Sequence, residues 1–210
     1  SPANALGRIN KIINTLKYLQ NDPNNNWNGL FFWYSINPSL SAPSKDPLSY
    51  VKPANGIIPA VDNANLAFSL AGIMGAYLNS SDKSPERVIY EKVESILKNQ
   101  QQGWFDLYDP DHEGGLMRAG YNKDTSEYLS YYIDRTMNES RLVPIWAIIS
   151  TLGTDSEVPM QAFTNMKYFA RDYKLSSGKT LNIKQTWDGT AFQELLPCVF
   201  VDEFAISPNF

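Results

Sequence analysis

Two residue types that often carry catalysis or stability are nearly absent from this chain of 210 residues, which has one cysteine and one histidine. A single cysteine, Cys198, excludes both a disulfide within the chain and a thiolate metal cluster, and its apolar neighbours indicate a small buried side chain. A single histidine, His112, excludes a zinc site with several histidines, and it would have to be the base of any Ser-His-Asp triad.

Basic clusters and long apolar runs are also missing. The net charge is −4 and the basic residues are scattered, which argues against a nucleic-acid partner. No apolar run reaches the ~18 residues of a membrane-spanning helix. Neither a Walker A motif nor a dinucleotide-binding glycine pattern occurs, so we expect no cofactor. The segment 109–115, Asp-Pro-Asp-His-Glu-Gly-Gly, leaves calcium open as an alternative, but it lacks the EF-hand spacing and we expect no metal.

Apolar residues recur at helical spacing along most of the chain, and strand-like alternation is weak. The predicted helices cover residues 5–20, 64–78, 85–99, 136–152, 159–173 and 190–200. Two long irregular segments, 27–59 and 102–124, separate them, and connections of that length are usually functional. We therefore predict one all-α domain over residues 1–210, with the long loops gathered at one rim of a toroid or solenoid.

Local signals mark several of the helix ends. Asp62 or Asn63 is expected to cap the second helix, Ser84 followed by Pro85 is expected to begin the third, and Gly153 is expected to end the fourth. These are structural interpretations. Some of the same residues, above all Asp62, could also take part in catalysis.

Three carboxylates stand near helix starts or within apolar helices. Asp62 follows an apolar run, Glu139 opens an apolar helix, and Glu194 lies within another apolar helix. A carboxylate in such surroundings needs a partner or a role, although capping and the helix dipole are structural alternatives. Cleavage of a glycosidic bond requires two carboxyl groups, one protonated and one ionised.

Aromatic residues make up 13% of the chain and several lie in or beside the predicted loops. Such rings stack on sugars or simply pack against their neighbours. The residues concerned are Trp33, Tyr34, Trp104, Tyr108, Tyr121 and Trp187.

Five segments, taken in order, resemble the glycoamylase-like domain of cyclic β-1,2-glucan synthases and related β-1,2-glucan-degrading glycosidases. Residues 1–4 and 29–34 are similar to that family's Ser-Pro-Thr-Asn and Gly-x-Phe-x-x-Trp-Tyr. Residues 61–67, Val-Asp-Asn-Ala-Asn-Leu-Ala, resemble Val-Asp-x-Gly-Asn-Leu-Ala. Residues 132–142 resemble Tyr-Asp…Ser-Glu-Ala-Arg-Leu, and residues 189–197 resemble Gly-Thr-Met-Phe-Glu-Tyr-Leu-Met-Pro.

The resemblance implies an (α/α)6 toroid whose cleft holds a β-glucan, with Glu139 as the general acid and Asp62 as the residue that positions Glu139 or the sugar. Glu194 is a weaker candidate, because the family's Phe-Glu-Tyr is Phe192-Gln193-Glu194 here. Candidates for contact with the sugar are Trp33, Tyr34, Asn65, Tyr108, Asp109, Tyr121, Asp134, Arg141 and Trp187.

A later Trp-Gly-x-Ser-Glu block of that family is absent, and six helices are about half a toroid. We therefore expect an incomplete domain, completed by a second half-domain or by self-association, with an oligo- or polysaccharide as partner and no membrane span. The leading function is a glycoside hydrolase or transglycosylase. A non-catalytic sugar-binding module and a helical scaffold for protein partners are the alternatives. We expect the protein to be secreted or periplasmic.

Overall fold

The computed structural model describes residues 2–36, 51–53 and 55–206. The opening Ser1 and residues 37–50 of the first predicted loop lie outside that range. The α-helices are α1 (Pro2–Asn21), α2 (Ala60–Tyr77), α3 (Pro85–Asn99), α4 (Gln101–Asp106), α5 (Leu142–Thr151), α6 (Gln161–Thr164), α7 (Ala191–Leu195) and α8 (Glu203–Ile206). Two 3-10 helices, Glu139–Arg141 and Leu196–Val199, precede α5 and follow α7.

Within the described residues, the strands are short and form five small antiparallel sheets. They are β1 (Asn26–Trp27), β2 (Leu30–Phe31), β3 (Tyr34–Ile36), β4 (Val51–Pro53), β5 (Ile57–Pro59), β6 (Tyr108–Asp109), β7 (Leu116–Arg118), β8 (Gly120–Asn122), β9 (Glu127–Tyr128), β10 (Tyr132–Ile133), β11 (Ala170–Lys174) and β12 (Thr180–Lys184). The strand orders are β1-β2, β3-β4, β5-β8-β9, β10-β7-β6 and β11-β12.

The all-α prediction is therefore correct only in part, because the helices share the chain with these small sheets. Most strands have two or three residues, which is too short for a period-two pattern to be visible in the sequence. Pairing with another segment, rather than local propensity, forms them. The predicted loop 102–124 contains most of α4 and all of β6, β7 and β8.

The long helices supply the core. Helix α3 packs against both α1 and α2, and α2 packs against α5. Ile13 of α1, Leu70 of α2, Val93 of α3 and Ala147 of α5 are all buried in one hydrophobic cluster. Each fully buried Leu or Ile contributes about 1.5–3 kcal/mol relative to the exposed side chain, so these helices form a rigid base for the loops.

Two of the predicted helix ends are confirmed. Ser84 Oγ accepts a hydrogen bond of 3.1 Å from the backbone N–H of Arg87, with Pro85 as the first helical residue of α3. Helix α5 ends at Thr151, and Gly153 follows with φ +74°. A left-handed residue just after a helix stops it, and glycine takes that conformation without a steric penalty.

The capping prediction for α2 is wrong. The helix begins at Ala60, and neither Asp62 nor Asn63 caps it, since no side chain binds at its N-cap, Pro59. The buried Asn63 instead exchanges two hydrogen bonds of 2.8 Å with the backbone of Phe31. This contact fixes β2 against the start of α2. The Asp62 carboxylate is not used as a helix cap.

The predicted helix over residues 159–173 is also wrong beyond its first turn. Only α6 is helical there, and the chain then forms β11, which pairs with β12 over five residues from Ala170↔Lys184 to Lys174↔Thr180. The turn at Gly178, with φ +85°, brings the two strands together. Cross-strand pairing has overridden a helix-like spacing of apolar residues.

Candidate functional site

A cavity of about 660 Å³ lies where the start of α2, the 3-10 helix before α5 and the segment before α7 meet. Strand β10 and residues 112–113 complete its wall. Among the predicted site residues, Asp134, Glu139 and Trp187 line it, together with His112 and Gln193, which were not predicted. Cavities of this size are in the range of small-molecule binding sites.

Glu139 lies in the cavity wall at the first position of its 3-10 helix, and Glu113 and Asp134 are the other carboxylates of the lining. Asn138 Oδ1 caps this turn through the backbone N–H of Ser140 at 3.0 Å. Glu139 Oε2 is buried and has no hydrogen-bond partner among the described residues. Burial raises the pKa of Glu139, the charges of Asp188 and Asp62 raise it further, and the residue's own backbone N–H and Arg141 oppose the shift.

Asp62 projects from the first turn of α2 and is exposed. Its Oδ2 accepts a hydrogen bond of 2.6 Å from the indole Nε1 of Trp33. Trp33 keeps 44% of its surface exposed, so the ring is held by this bond more than by burial. The structure thus brings Trp33 and Asp62 together, and the charge of Asp62 acts on Glu139.

Asp188 is a candidate that sequence reasoning missed. It follows Trp187, which is 70% exposed, in the turn before α7. Its Oδ1 accepts a hydrogen bond of 2.9 Å from the backbone N–H of Thr190, and its own N–H donates to Gln193 Oε1 at 3.1 Å. Asp-Gly-Thr before a helix is a common turn, so the only signal in the sequence was its position beside Trp187.

Arg141 lies beneath the site, with 1% of its side chain exposed. Its Nε and Nη2 bind the two carboxylate oxygens of Glu203 at 2.7 and 2.8 Å. The remaining donors bind the backbone carbonyls of Asn138, Gln193 and Glu194. Because these partners use the guanidinium fully, Arg141 joins the Glu139 turn to α7 and α8 and does not face the cavity.

The charge of Glu203 depends on Arg141. Burial alone would raise the pKa of Glu203, but the hydrogen bond and the charge of Arg141, with a further bond from the Cys198 thiol, lower it. The Cys198 Sγ donates to Glu203 Oε2 at 3.3 Å, and burial raises the pKa of the thiol. Cys198 is half-buried, as an ordinary packed thiol.

Asp109 lies behind the cavity wall, buried in β6. Its Oδ2 accepts hydrogen bonds from the Tyr132 hydroxyl at 2.7 Å and from Arg118 Nη2 at 2.5 Å. Burial would raise the pKa of Asp109, but these bonds, the backbone N–H of Asp111 and nearby cationic charge lower it. The ring of His112 stacks flat on Tyr132 with centroids 3.6 Å apart. Because Asp109 binds the Tyr132 hydroxyl, it helps to hold both stacked rings in the cavity wall.

Trp33 and Asp62 are not among the residues that line the cavity, and neither are the remaining aromatic candidates. Tyr121 stacks on Trp27 with centroids 4.3 Å apart and an angle of 14°. Tyr34 donates a hydrogen bond of 2.6 Å to the carbonyl of Asn25, and burial, with the charge of Asp22, raises its pKa. Burial, followed by the charge of Asp109, likewise raises the pKa of Tyr108.

Trp104 is fully buried and belongs to the core rather than to a sugar-binding surface. Asn65 has a buried side-chain oxygen without a partner among the described residues, and it is not part of the cavity lining. Glu194 does not line the cavity either, and its charge acts on Cys198 instead. Its neighbour Gln193 occupies the lining position.

No group of three or more metal-binding side chains occurs within the described parts of the chain. In the segment 109–115, Asp109 is engaged by Arg118 and Glu113 by Lys167, which leaves no cluster of free oxygens for calcium. Among the helices of residues 2–36 and 55–206, none is long and apolar enough to cross a membrane.

Among solved structures, the fold is similar to that of an endo-β-1,2-glucanase from Talaromyces funiculosus, determined in complex with sophorose. The TM-score is 0.74 at 15% sequence identity, over 99% of this chain. This chain spans 42% of the length of that glucanase chain. At this identity the comparison shows a shared fold. No family model matches the chain, and no curated protein sequence matches it.

Proposed function

We propose that the chain is part of a glycoside hydrolase or transglycosylase that acts on a β-glucan, with Glu139 as the general acid. The observation that carries the proposal is the state of Glu139, a carboxyl group in a cavity wall with one buried, unpartnered oxygen and a raised pKa. Such a group keeps its proton at a pH where ordinary carboxyl groups have lost it, which is the requirement for protonating a leaving glycosidic oxygen.

Asp62 and Asp188 are the proposed sources of the second, ionised carboxylate. Both act on Glu139 through their negative charge, and both are exposed. In the reaction, the Glu139 proton passes to the leaving oxygen as the bond to C1 breaks. The ionised carboxylate either takes a proton from the water that attacks C1 or bonds to C1 itself.

The sugar would lie against the aromatic part of the wall. Trp187, Tyr132 and the ring of His112 offer flat faces for stacking, and Asp134 and Ser140 offer polar groups for the hydroxyls. The similarity to a glucanase solved with sophorose favours β-1,2-linked glucose.

The helices are proposed to form about half of an (α/α)6 toroid in an incomplete domain. The coverage of 42% of the glucanase chain supports this reading, which implies that a second segment or a second copy completes the cleft. A secreted or periplasmic location belongs to the same proposal.

A non-catalytic glucan-binding module is the second candidate, and Gln193 favours it. The neutral Gln193 lines the cavity at the position where the resembling family has a glutamate, whereas Glu194 does not line it. A site that lacks a working pair of carboxylates would still hold a sugar by stacking and hydrogen bonds.

The test measures binding of linear β-1,2-glucan and release of reducing ends by the chain, by Glu139→Gln and by Glu194→Gln. The second variant is the matched control, because it neutralises a nearby carboxylate that does not line the cavity. Turnover that is lost only in Glu139→Gln supports the hydrolase. Binding without turnover in all three favours the binding module, and absence of both contradicts the two proposals.

A further inference from the structure

Strands β11 and β12 form a ribbon, residues 170–184, that carries a second surface outside the cavity. Its base is closed by a hydrogen bond of 2.7 Å from the backbone N–H of Gln185 to the carbonyl of Phe169. At its tip, the N–H of Leu175 binds the carbonyl of Lys179 at 2.8 Å. All residues of the two strands are exposed except the half-buried Leu181, so the ribbon stands away from the described core.

The two faces of the ribbon differ in chemistry, because side chains alternate along a strand. The register Arg171↔Ile183 and Tyr173↔Leu181 puts these four side chains on one face. Tyr173 is 56% exposed and Ile183 is 43% exposed. The opposite face is polar, with a cross-strand hydrogen bond of 2.9 Å from Asn182 to Asp172.

The apolar face also contains a groove of about 390 Å³. Arg171, Tyr173, Ile183 and Gln185 contribute to its lining from this face, and the charged Asp172 and Lys174 contribute from the opposite face. The lining combines one exposed aromatic ring and one aliphatic side chain with four polar or charged side chains. This combination suits a sugar ring, whose C–H face stacks on an aromatic side chain while its hydroxyls bind polar groups.

The chain segments that enter and leave the ribbon at its base both contact or join residues of the cavity wall. At the start of the ribbon, the Arg135 guanidinium lies 4.3 Å from the centre of the Phe169 ring, and Arg135 lines the cavity. Before that, the N–H of Lys167 binds the carbonyl of Asp134, another lining residue, at 2.7 Å. After β12, the chain leaves the base of the ribbon and reaches Trp187 in the cavity wall. The chain therefore enters and leaves the ribbon beside the proposed sugar site.

We propose that the apolar face of the ribbon binds a glucan chain where it extends beyond the cavity, and so favours polysaccharide over short oligosaccharide. The inference rests on the proposed function and adds the substrate length to it. A second copy of the chain is a poorer occupant, because Lys174, Lys179 and Lys184 place positive charge along the ribbon and like charges oppose edge-to-edge strand pairing.

The test compares affinity for long linear β-1,2-glucan and for sophorose by calorimetry, in the wild-type chain and in Tyr173→Ala. We expect the variant to lose roughly three- to tenfold in affinity for the polymer, as for loss of one aromatic stacking contact, with no change for sophorose. Tyr173→Phe should bind the polymer as the wild type does. Thr180→Ala, on the polar face and outside the groove lining, is the matched control and should change neither affinity.

The outcomes separate this inference from the proposed function. If the wild type binds both ligands and Tyr173→Ala weakens both equally, or neither, the ribbon does not recognise chain length and the inference is wrong. If the wild type binds neither ligand, the proposed function fails and the inference fails with it. If light scattering shows a wild-type dimer that Tyr173→Ala dissociates, the occupant is a second copy, which also overturns the inference.

Discussion

Trp33 and Asp62, which are 29 residues apart, are joined by a hydrogen bond of 2.6 Å from the indole Nε1 to the carboxylate Oδ2. A bond from a neutral donor to an ionised acceptor is about twice as strong as a neutral pair. Both partners are exposed, so the bond adds little to the core, and it holds a flat ring and a carboxylate side by side.

We predict that Trp33→Phe weakens β-1,2-glucan binding about tenfold, or ~1.4 kcal/mol, while the melting temperature changes little. The phenyl ring keeps a stacking face but cannot donate to Asp62. Calorimetry and thermal unfolding measure the two effects. Trp27→Phe is the matched control, because Trp27 packs on Tyr121 and should affect stability rather than binding. A large stability loss with unchanged binding in Trp33→Phe would identify Trp33 as a packing residue.

A second prediction concerns Glu139→Gln, which should raise the melting temperature at neutral pH. The folded-state pKa of Glu139 lies above its ordinary value of 4.5, so the folded protein binds this proton more tightly than the unfolded chain does. The ionised form therefore costs stability once the pH rises above about 4.5, and the cost is complete above the raised pKa. Thermal unfolding from pH 4 to pH 8 should show that the melting temperature of the variant increases relative to that of the wild type as the pH rises. A gap that is constant with pH contradicts the raised pKa.

A third prediction is that Arg141→Met destabilises the chain by about 3–5 kcal/mol, the usual cost of removing one partner from a buried ion pair. Glu203 would lose the cation that lowers its pKa, and three carbonyls would lose their donor. Arg141→Lys should rescue little, since an ammonium cannot make the forked contact. Urea unfolding measures the loss. Arg87→Met, which breaks an exposed pair with Glu91, should cost less than about 0.5 kcal/mol.

The pH dependence of the Arg141 effect has a definite sign. The lowered pKa of Glu203 means that the pair stabilises the fold above the ordinary value of 4.5 and that this stabilisation is lost as the pH falls through the lowered pKa. The gap in unfolding free energy between the wild type and Arg141→Met should therefore narrow at acid pH. A gap that widens on acidification would contradict the assignment.

Local chemistry made some of the fold predictable. The apolar spacing of α1 and the Ser84 cap of α3 are properties of neighbouring residues, and both were predicted. The ribbon was not, because its strands are defined by pairing across a turn. Arg141 was predicted at the sugar, but its burial depends on Glu203, a distant partner that no local pattern reveals.

The same division applies to the candidate site. The sequence pointed to Glu139 and Asp62 through a resemblance, and the structure places the two carboxylates within electrostatic reach of each other. Asp188 was missed because only the folded chain brings its turn towards Glu139. The choice between Gln193 and Glu194 likewise depended on which side of the short helix α7 faces the cavity.

The final prediction is that Asp188→Asn lowers the pKa of Glu139 more than Asp62→Asn does. Both aspartates raise that pKa by placing negative charge near the carboxyl group, and the contribution of Asp188 is the larger. Removing either charge should therefore shift the Glu139 titration towards lower pH, whereas Glu194→Gln should leave it in place. NMR titration of the Glu139 side-chain carboxyl measures this without requiring turnover. Where turnover is present, the alkaline limb of kcat/KM should move to lower pH in the same order, because that limb reports loss of the acid's proton. In addition, the Asn variant of the aspartate that serves as the second carboxylate should lose nearly all turnover. The Asn variant of the other aspartate should keep a measurable rate. A Glu139 titration that neither variant moves would mean that burial alone holds the proton, and would remove both aspartates as partners of Glu139.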